Sequence, residues 1–345
     1  MTKAEIIANF DINGPAASDN IFGLPFDEEQ AEVIILPVPW EVTVSYTAGT
    51  AGAPEAVKTA SLQVDLYDPA IKDAWQMGIW MAPIDENLSQ KSDEFRANAE
   101  AYLDAFVDGK PPLTSALPAI NTACAEMVDW VKSQALHYIN QGKIVALLGG
   151  DHSTPLGFLQ ALATKHSGFG ILQIDAHADL RIAYEDFEYS HASIMYNALK
   201  IPQVEKLVQV GIRDYCQEEV DVMHAEGKRV KTFFDRDLKH AQFAGKTWQV
   251  QVEEIVAELP QNVFLSFDID GLDPKLCPNT GTPVAGGFET EQVLFLVENV
   301  IASGRKLIGF DLNEVGPSDD EWDANVGARL LYRLCNLLGK SNGKI

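Results

Sequence analysis

The chain has 345 residues, of which 46% are hydrophobic, so it can bury a large core, and its formal net charge is −24 at pH 7. Nucleic acids and anionic membrane surfaces attract basic proteins, so this charge argues against both as partners. No apolar segment reaches the roughly 18 residues that a membrane-spanning helix needs, the N-terminus lacks a signal-peptide pattern, and the four cysteines are scattered without a CxxC pair, so we expect a cytoplasmic protein with reduced thiols.

Apolar runs with the composition of buried strands alternate along the chain with stretches of helical character. In chain order, the seven predicted strands are Val33–Val38, Ile144–Leu148, Gly170–Ile174, Leu207–Val210, Val230–Phe234, Val263–Phe267 and Lys306–Phe310. The main predicted helices are Ala123–Asn140, Pro155–Lys165, Thr290–Ser303 and Ala324–Leu338. Continuous apolar strands separated by helices are typical of a parallel sheet that is covered on both faces. We therefore predict an α/β protein of three layers, α/β/α, with a mainly parallel central sheet.

The chain has neither an internal repeat nor a low-complexity linker, so residues 1–345 are predicted to form a single domain. The stretch from about Glu86 to Pro118 is polar and then proline-rich. Within it, Ser92–Val107 has the pattern of a helix that packs on the outside of the protein. We therefore expect residues 86–118 to form an insertion rather than a second domain.

Two short acidic runs directly follow strands of the predicted sheet. They are Asp175–Asp179, with the sequence Asp-Ala-His-Ala-Asp, and Asp268–Asp270, with the sequence Asp-Ile-Asp. Side chains two residues apart on an extended chain point to the same face, so the polar members of each run can converge. Burying four carboxylates without cations is costly, whereas two divalent ions would neutralise them. The two runs therefore predict a pair of divalent metal ions.

Two further strand ends also carry polar residues. The strand Ile144–Leu148 is followed by Gly149–Ser153, and Lys306–Phe310 is followed by Asp311–Glu314. In open parallel sheets, ligands bind in the crevice beyond the carboxyl ends of the strands. A single aspartate would be interpreted as a helix cap or a turn residue, but four strand ends that bring acids and histidines to one edge favour a functional site.

The residue types indicate the metal and the reaction. Carboxylates with a few imidazoles and no thiol suit manganese or a related octahedral ion better than structural zinc. Two such ions that share a carboxylate lower the pKa of water and supply a nucleophile at neutral pH. The sequence therefore predicts a hydrolase.

These motifs resemble those of the ureohydrolases, the family that comprises arginase, agmatinase, formimidoylglutamase and guanidino-acid hydrolases. The resemblance extends from about residue 33 to residue 338 and depends on segments in the right order: Gly149–Ser153, Asp175–Asp179, Ser190–Ser193, Ser266–Pro274, Thr280–Pro283 and Glu314-Val315. It implies an arginase-like fold, two Mn²⁺ ions per subunit and a homo-oligomer, either a trimer or a hexamer. Ni²⁺ or Co²⁺ could occupy the same ligands.

The resemblance also implies the roles of individual residues. The implied ligands of one ion are His152, Asp175, Asp179 and Asp268, and those of the other are His177, Asp175, Asp268 and Asp270. His191 matches the family's proton-shuttling histidine, and Glu314 matches the glutamate that pairs with the guanidinium or amidine group of the substrate. Asp179 is the candidate for carrying a proton to the leaving amine.

Within the family, the sequence departs from arginase at two positions that contact the amino-acid part of the substrate. Leu180–Tyr184 replaces the segment whose asparagine helps to hold the carboxylate, and Cys216 occupies an acidic position. Asp179–Arg181, Tyr189–Met195 and Pro39–Thr50 instead resemble one branch of bacterial and archaeal agmatinases. The predicted substrate is therefore agmatine, a small cationic guanidino compound, which would be cleaved to urea and putrescine.

Several alternatives remain open. Arginase, guanidinobutyrase, formimidoylglutamase and guanidine hydrolase belong to the same family, and Arg181 near the pocket would suit a substrate carboxylate. Deacetylases that share the broader fold use one zinc and lack the run Asp268–Pro274. A non-catalytic scaffold is the remaining alternative, and the intact ligands together with His191 and Glu314 argue against it.

Overall fold

The centre of the computed structural model, which describes residues 1–107 and 116–345, is a sheet of eight strands. The strands are β1 Val33–Val38, β2 Ile79–Met81, β3 Ile144–Gly149, β4 Phe169–Ile174, β5 Val204–Ile212, β6 Val230–Phe234, β7 Asn262–Asp268 and β8 Lys306–Asn313. Their order across the sheet is β2-β1-β3-β8-β7-β4-β5-β6, and every pairing between these strands is parallel. All the predicted strands are therefore confirmed.

Helices cover both faces of this sheet. The α-helices of the described residues are α1 Lys3–Asn9, α2 Ala53–Ser61, α3 Glu86–Val107, α4 Ala116–Asn140, α5 Leu156–Ala163, α6 Ile194–Leu199, α7 Gln217–Glu226, α8 Asp235–Phe243, α9 Trp248–Ala257, α10 Thr290–Ala302 and α11 Trp322–Ser341. Successive residues of β1 bury into opposite cores: Ile35 packs in the cluster that includes α10 and α11, and Ile34 in the cluster that includes α4 and α5. The three-layer α/β/α prediction is confirmed.

The structure also contains elements that periodicity did not predict. Strand β2 has three residues and pairs only along the edge of β1. Helices α7 and α8 are polar over most of their length and bury few residues, among them Leu238. A short edge strand and a mostly solvated helix both lack the apolar pattern by which such elements are predicted.

The stretch predicted as an insertion begins with helix α3. Its first turn is capped by Asp85, whose Oδ1 accepts a hydrogen bond of 2.9 Å from the backbone N–H of Leu88, and Tyr102 is buried against Phe187. The predicted Ser92–Val107 helix is therefore present and is longer than expected. The proline pair of this stretch lies outside the described residues, so the interpretation as an insertion stays a prediction.

Because the strands are parallel, their carboxyl ends meet at one edge of the sheet. The loop after β3 follows the backbone of Trp40 closely there: a Cβ on Gly150 would lie 2.0 Å from the carbonyl oxygen of Trp40, which only glycine permits. The backbone N–H of Asp151 donates to that same carbonyl at 2.8 Å. This contact fixes the backbone directly before His152. Within the described part of the chain, none of the helices is long and apolar enough to span a membrane.

Candidate metal centre and substrate cleft

His152 lies at the centre of the first cluster of candidate ligands. Its Nδ1 is 2.9 Å from Oδ2 of Asp179, 3.1 Å from Oδ2 of Asp175 and 3.4 Å from Oδ2 of Asp268. All four side chains are buried. His152, Asp175 and Asp179 form one of two groups of the described residues whose ligand atoms are close enough to hold a metal ion.

The second group consists of Asp175, His177 and Asp270. Nδ1 of His177 is 2.9 Å from Oδ2 of Asp270 and 3.7 Å from Oδ1 of Asp175. Asp175 thus belongs to both groups and faces each through a different oxygen. Asp268, for which the resemblance implies a bridging role, joins neither compact group and approaches the site through its contact with His152.

Backbone hydrogen bonds fix the orientation of the carboxylates of Asp175 and Asp268. Oδ1 of Asp175 accepts from the N–H of His177 at 2.6 Å, and Oδ1 of Asp268 accepts from the N–H of Asp270 at 2.8 Å. Asp179 adopts a left-handed backbone with φ 54°, and its carbonyl accepts N–H groups at the start of α6. Each motif therefore forms a turn that is closed by a hydrogen bond from its own backbone to its own carboxylate, and this turn makes the side chains converge.

The electrostatics of the site require positive charge. Burial raises the pKa of Asp175 to about 7, and the charges of Asp179 and Asp270 add to the increase. Burial likewise raises the pKa of Asp268 well above its usual range. Burial also opposes ionisation of Asp270, but His177 beside it holds its pKa well below the usual value. Oxygen and imidazole donors without sulfur fit divalent cations of the manganese type, and such cations would offset this repulsion.

A set of hydrogen bonds between buried residues of β7 and β8 supports the imidazole of His152. Its Nε2 lies 2.9 Å from Oγ of Ser266, whose hydroxyl donates to Oδ1 of Asp311 at 3.1 Å. The same carboxylate oxygen accepts from the side chain of Asn313 and, at 3.2 Å, from the N–H of Phe267. Such contacts fix the tautomer and the orientation of a metal-binding imidazole. Asp311 belongs to a polar strand end and Ser266 to a motif of the sequence, but the sequence did not predict that either residue supports His152.

Four of the six candidate ligands, His152, His177, Asp179 and Asp268, line a cleft of about 150 Å³. His191 and Glu314 line this same cleft, as do Arg181, Tyr184 and Tyr215. Larger cavities exist elsewhere, such as one of about 640 Å³ beside Tyr196 and Lys200. We assign the small cleft as the candidate active site because both ligand groups of the described residues contribute to its lining, His152 and Asp179 from one and His177 from the other.

His191 enters the cleft from a short 3₁₀ turn, His191–Ser193. Its backbone N–H donates to Oγ1 of Thr43 at 3.1 Å, and its Nδ1 lies 3.4 Å from the same oxygen. Burial lowers the pKa of His191 to about 4, since it outweighs the opposing charge of Asp179. The imidazole is therefore neutral at physiological pH in the metal-free protein.

Glu314 follows β8 with a left-handed backbone, φ 62°, and its side chain is only 6% exposed. Oε1 accepts from the N–H of His152 at 2.8 Å, and the carbonyl accepts from the hydroxyl of Thr280 at 2.7 Å. Burial, with the charge of Asp151 added to it, raises the pKa of Glu314 well above its usual range. A cation in the cleft would favour the ionised form.

The wall of the cleft contains Arg181, as expected from the sequence, together with residues that the sequence did not identify, such as Glu219. The guanidinium of Arg181 lies 4.5 Å from the ring centre of Tyr184. Glu219, the third residue of α7, accepts from the N–H of Leu180 at 3.1 Å and from that of Cys216 at 2.8 Å. It thereby ties the loop after Asp179 to α7. The sequence did not predict the contact between Leu180 and Glu219, because these two residues are far apart in the chain.

Fold and site together define a class: a hydrolase with an α/β/α fold whose candidate metal ligands gather at the carboxyl edge of a parallel sheet. The chain belongs to the arginase family, whose family model matches residues 31–336.

Similarity to individual members covers nearly the whole chain. N(1)-aminopropylagmatine ureohydrolase of Thermus thermophilus is 29% identical over 91% of this chain and 93% of its own length. Guanidinobutyrase of Pseudomonas aeruginosa is 28% identical over 91% and 89%. The crystal structure of agmatine ureohydrolase of Thermoplasma volcanium has a TM-score of 0.71 at 22% identity and covers 99% of both chains, which confirms the predicted arginase-like fold.

Proposed function

We propose that this protein is a binuclear manganese hydrolase that cleaves agmatine to putrescine and urea. The observation that carries the proposal is the position of Asp175. It belongs to both ligand groups and faces them through different oxygens, as a carboxylate shared by two ions would. A single metal ion would not need the second group.

The residues that would hold the ions are His152, Asp175, Asp179 and Asp268 for one, and His177, Asp175, Asp268 and Asp270 for the other. Manganese suits this set of oxygen and imidazole donors, and Ni²⁺ or Co²⁺ could use the same ligands. When bound, two such ions lower the pKa of water and supply a nucleophile at neutral pH.

The chain's own residues would then bind the substrate and move protons. A guanidinium carbon is a poor electrophile because its charge is delocalised, so its position matters. Glu314 would hold the guanidinium by charge-assisted hydrogen bonds and orient its carbon in the cleft. Asp179 would pass a proton to the leaving amine. His191, which is neutral in the cleft, would exchange protons with solvent.

The absence of two arginase contacts favours a substrate without a carboxylate. Cys216 replaces an acidic residue, and the segment after Asp179 lacks the asparagine. Arg181 is the residue of the cleft that would attract a substrate carboxylate. Its guanidinium already stacks on Tyr184. Its positive charge also acts on Glu185, where it opposes the increase in pKa that burial causes. The Thermus relative provides a second candidate, an agmatine that carries an aminopropyl group.

A substrate panel tests this proposal. After manganese loading, urea release is measured with agmatine, N(1)-aminopropylagmatine, arginine, guanidinobutyrate and guanidine, and formimidoylglutamate cleavage is followed separately. We expect the highest kcat/KM with agmatine. Activity confined to guanidinobutyrate would instead contradict the agmatine proposal and would make Arg181 the first candidate for binding a substrate carboxylate. No turnover of any compound would favour a scaffold.

We further propose that residues 1–345 act as one domain in a cytoplasmic homo-oligomer, either a trimer or a hexamer. The four cysteines are free, and three of them are buried, which suits a reducing compartment. Light scattering of the manganese-loaded protein measures the assembly, and a monomer would contradict this part of the proposal.

A further inference from the structure

A row of polar side chains crosses the core of the sheet directly below the candidate ligands. The members of this polar row pair in register on five neighbouring strands, β6, β5, β4, β7 and β8: they are Thr232, Gln209, Gln173, Ser266 and Asp311. The last four are fully buried. Since residues i and i+2 of a strand share a face, Gln173 lies below Asp175 and Ser266 lies below Asp268.

Gln173 is the member of the row that contacts Asp175. Its Nε2 donates to Oδ2 of Asp175 at 2.8 Å and to the carbonyl of His177 at 3.2 Å. Its Oε1 accepts from Nε2 of Gln209 at 2.7 Å. A side-chain amide has two donor hydrogens, and both are used here. These contacts fix which end of the amide faces Asp175.

The rest of the row holds Gln173 in this orientation. Nε2 of Gln209 also donates to the carbonyl of Ala178 at 2.7 Å, and its Oε1 accepts from the hydroxyl of Thr232 at 2.8 Å. If the Gln173 amide turned over, its oxygen would face the carboxylate of Asp175 and its amino group would face that of Gln209. If the Gln209 amide turned over, its oxygen would face the oxygen of Gln173 and the carbonyl of Ala178. Either change leaves buried polar groups without partners, which is unfavourable. The chain of hydrogen bonds therefore permits one arrangement.

Stability alone does not explain such a row. Exchanging paired buried polar groups for apolar groups of the same shape can be nearly neutral or stabilising. The row does, however, provide a hydrogen-bond donor to the second carboxylate oxygen of Asp175. Oδ1 accepts from the backbone N–H of His177, and Oδ2 accepts from Nε2 of Gln173. With both oxygens engaged, the carboxylate is held in the rotation that presents one oxygen to each ligand group.

We propose that Gln173 is a positioning residue that orients Asp175 toward both ion sites, with Gln209 and Thr232 fixing its amide. This inference rests on the proposed function, since it requires Asp175 to bind metal. Gln173 acts only through Asp175 and does not contact the substrate.

The test is a titration of metal-free protein with Mn²⁺, followed by calorimetry and by electron paramagnetic resonance, in wild type and in Gln173→Met. Methionine keeps the length of the side chain and removes the donor. Removing an outer partner of a ligand costs about 10–100-fold in metal affinity, so we expect the dissociation constant to rise by that factor and the signal of the coupled ion pair to weaken. The matched control is Leu172→Met, which changes a buried residue of the same strand on the opposite face. It should bind Mn²⁺ like wild type.

The outcomes separate the two proposals. If Gln173→Met binds Mn²⁺ as tightly as Leu172→Met, the positioning role is wrong, even if the unfolding temperature of the metal-free protein falls. If Gln173→Met does not fold, Gln209→Met decides: weaker binding supports the row, and unchanged binding overturns it. Failure of the wild-type protein to bind two ions per chain would reject the proposed function instead, whatever the variants do.

Discussion

Replacing Asp175 by alanine should abolish manganese binding at both sites and should also change how the stability of the metal-free protein depends on pH. In the folded protein, burial raises the pKa of Asp175 to about 7 from its ordinary value of 3.8. Between these two values, the unfolded chain releases the proton while the folded chain retains it. The wild-type protein therefore loses stability as the pH rises from about 4 to about 7, and this loss is complete above pH 7.

The magnitude follows from the size of the shift. One pKa unit corresponds to about 1.36 kcal/mol, and the pKa of about 7 lies roughly two units above pH 5. Wild type should therefore lose roughly 2–3 kcal/mol between pH 5 and pH 8 that the alanine variant does not lose. Against this, the variant leaves the donors of His177 and Gln173 without their acceptor, at about 1–3 kcal/mol each. We expect Asp175→Ala to be clearly less stable than wild type at pH 5 and close to it at pH 8.

Denaturant unfolding at both pH values, with a chelator present and tryptophan fluorescence as the signal, measures this difference. The pH dependence of the difference matters more than its absolute value, because the cost of the unpaired donors is present at both pH values. Guanidinobutyrate or agmatine turnover with added Mn²⁺ should be absent in the variant. Parallel pH profiles of wild type and variant would refute the view that burial, with the charges of Asp179 and Asp270 added to it, keeps Asp175 protonated in the metal-free site. Retention of two bound ions would refute the ligand assignment.

Three further predictions concern turnover. His191→Ala should lower kcat by about 10²–10⁴-fold with unchanged metal content; an activity loss that follows metal loss would instead make His191 a ligand. Glu314→Gln should impair every guanidino substrate while the protein still binds Mn²⁺, and unchanged KM and kcat would place the guanidinium elsewhere. Wild type should hydrolyse agmatine with a much higher kcat/KM than arginine, because unmatched polar partners discriminate strongly. If arginine is as good a substrate, the same comparison in Arg181→Ala shows whether Arg181 is the reason.

The parts of the fold that the sequence predicted are those with a strong local pattern. Strands β4 and β7 are apolar runs. The acids after them converge as predicted, but through turns and not along an extended chain: Asp270 lies in the 3₁₀ turn Ile269–Gly271, and Asp179 has a left-handed backbone. Strand β2 and helices α7 and α8 lack this pattern because they bury few apolar residues of their own. Their stability comes from the elements beside them, which a local pattern does not show. The proposed ligand set was implied by the resemblance of single loops to the ureohydrolase motifs, and the structure places the candidate ligands of those loops close together.

The order of the strands explains why the remaining contacts were not predictable. His152 follows β3 and Asp175 follows β4, yet β8 and β7 lie between these two strands. The imidazole therefore spans the end of β8 and contacts Ser266 on β7, a residue 114 positions away in the chain. No local sequence pattern could predict this contact, because it forms only when the later strands β7 and β8 insert between the earlier strands β3 and β4.

The same reasoning applies to the polar row. Gln173 and Gln209 are single polar residues inside apolar strands, and on their own each predicts only a local cost of burial. They become neighbours because β4 and β5 pair with these two residues in register, and they become useful because Asp175 follows Gln173 by two residues. A shift of one residue between β4 and β5 would turn Gln209 to the other face and remove the support of the carboxylate. The positioning role proposed for Gln173 thus makes the register of these two strands a structural requirement of the candidate metal centre, and in the proposed function a requirement of catalysis as well.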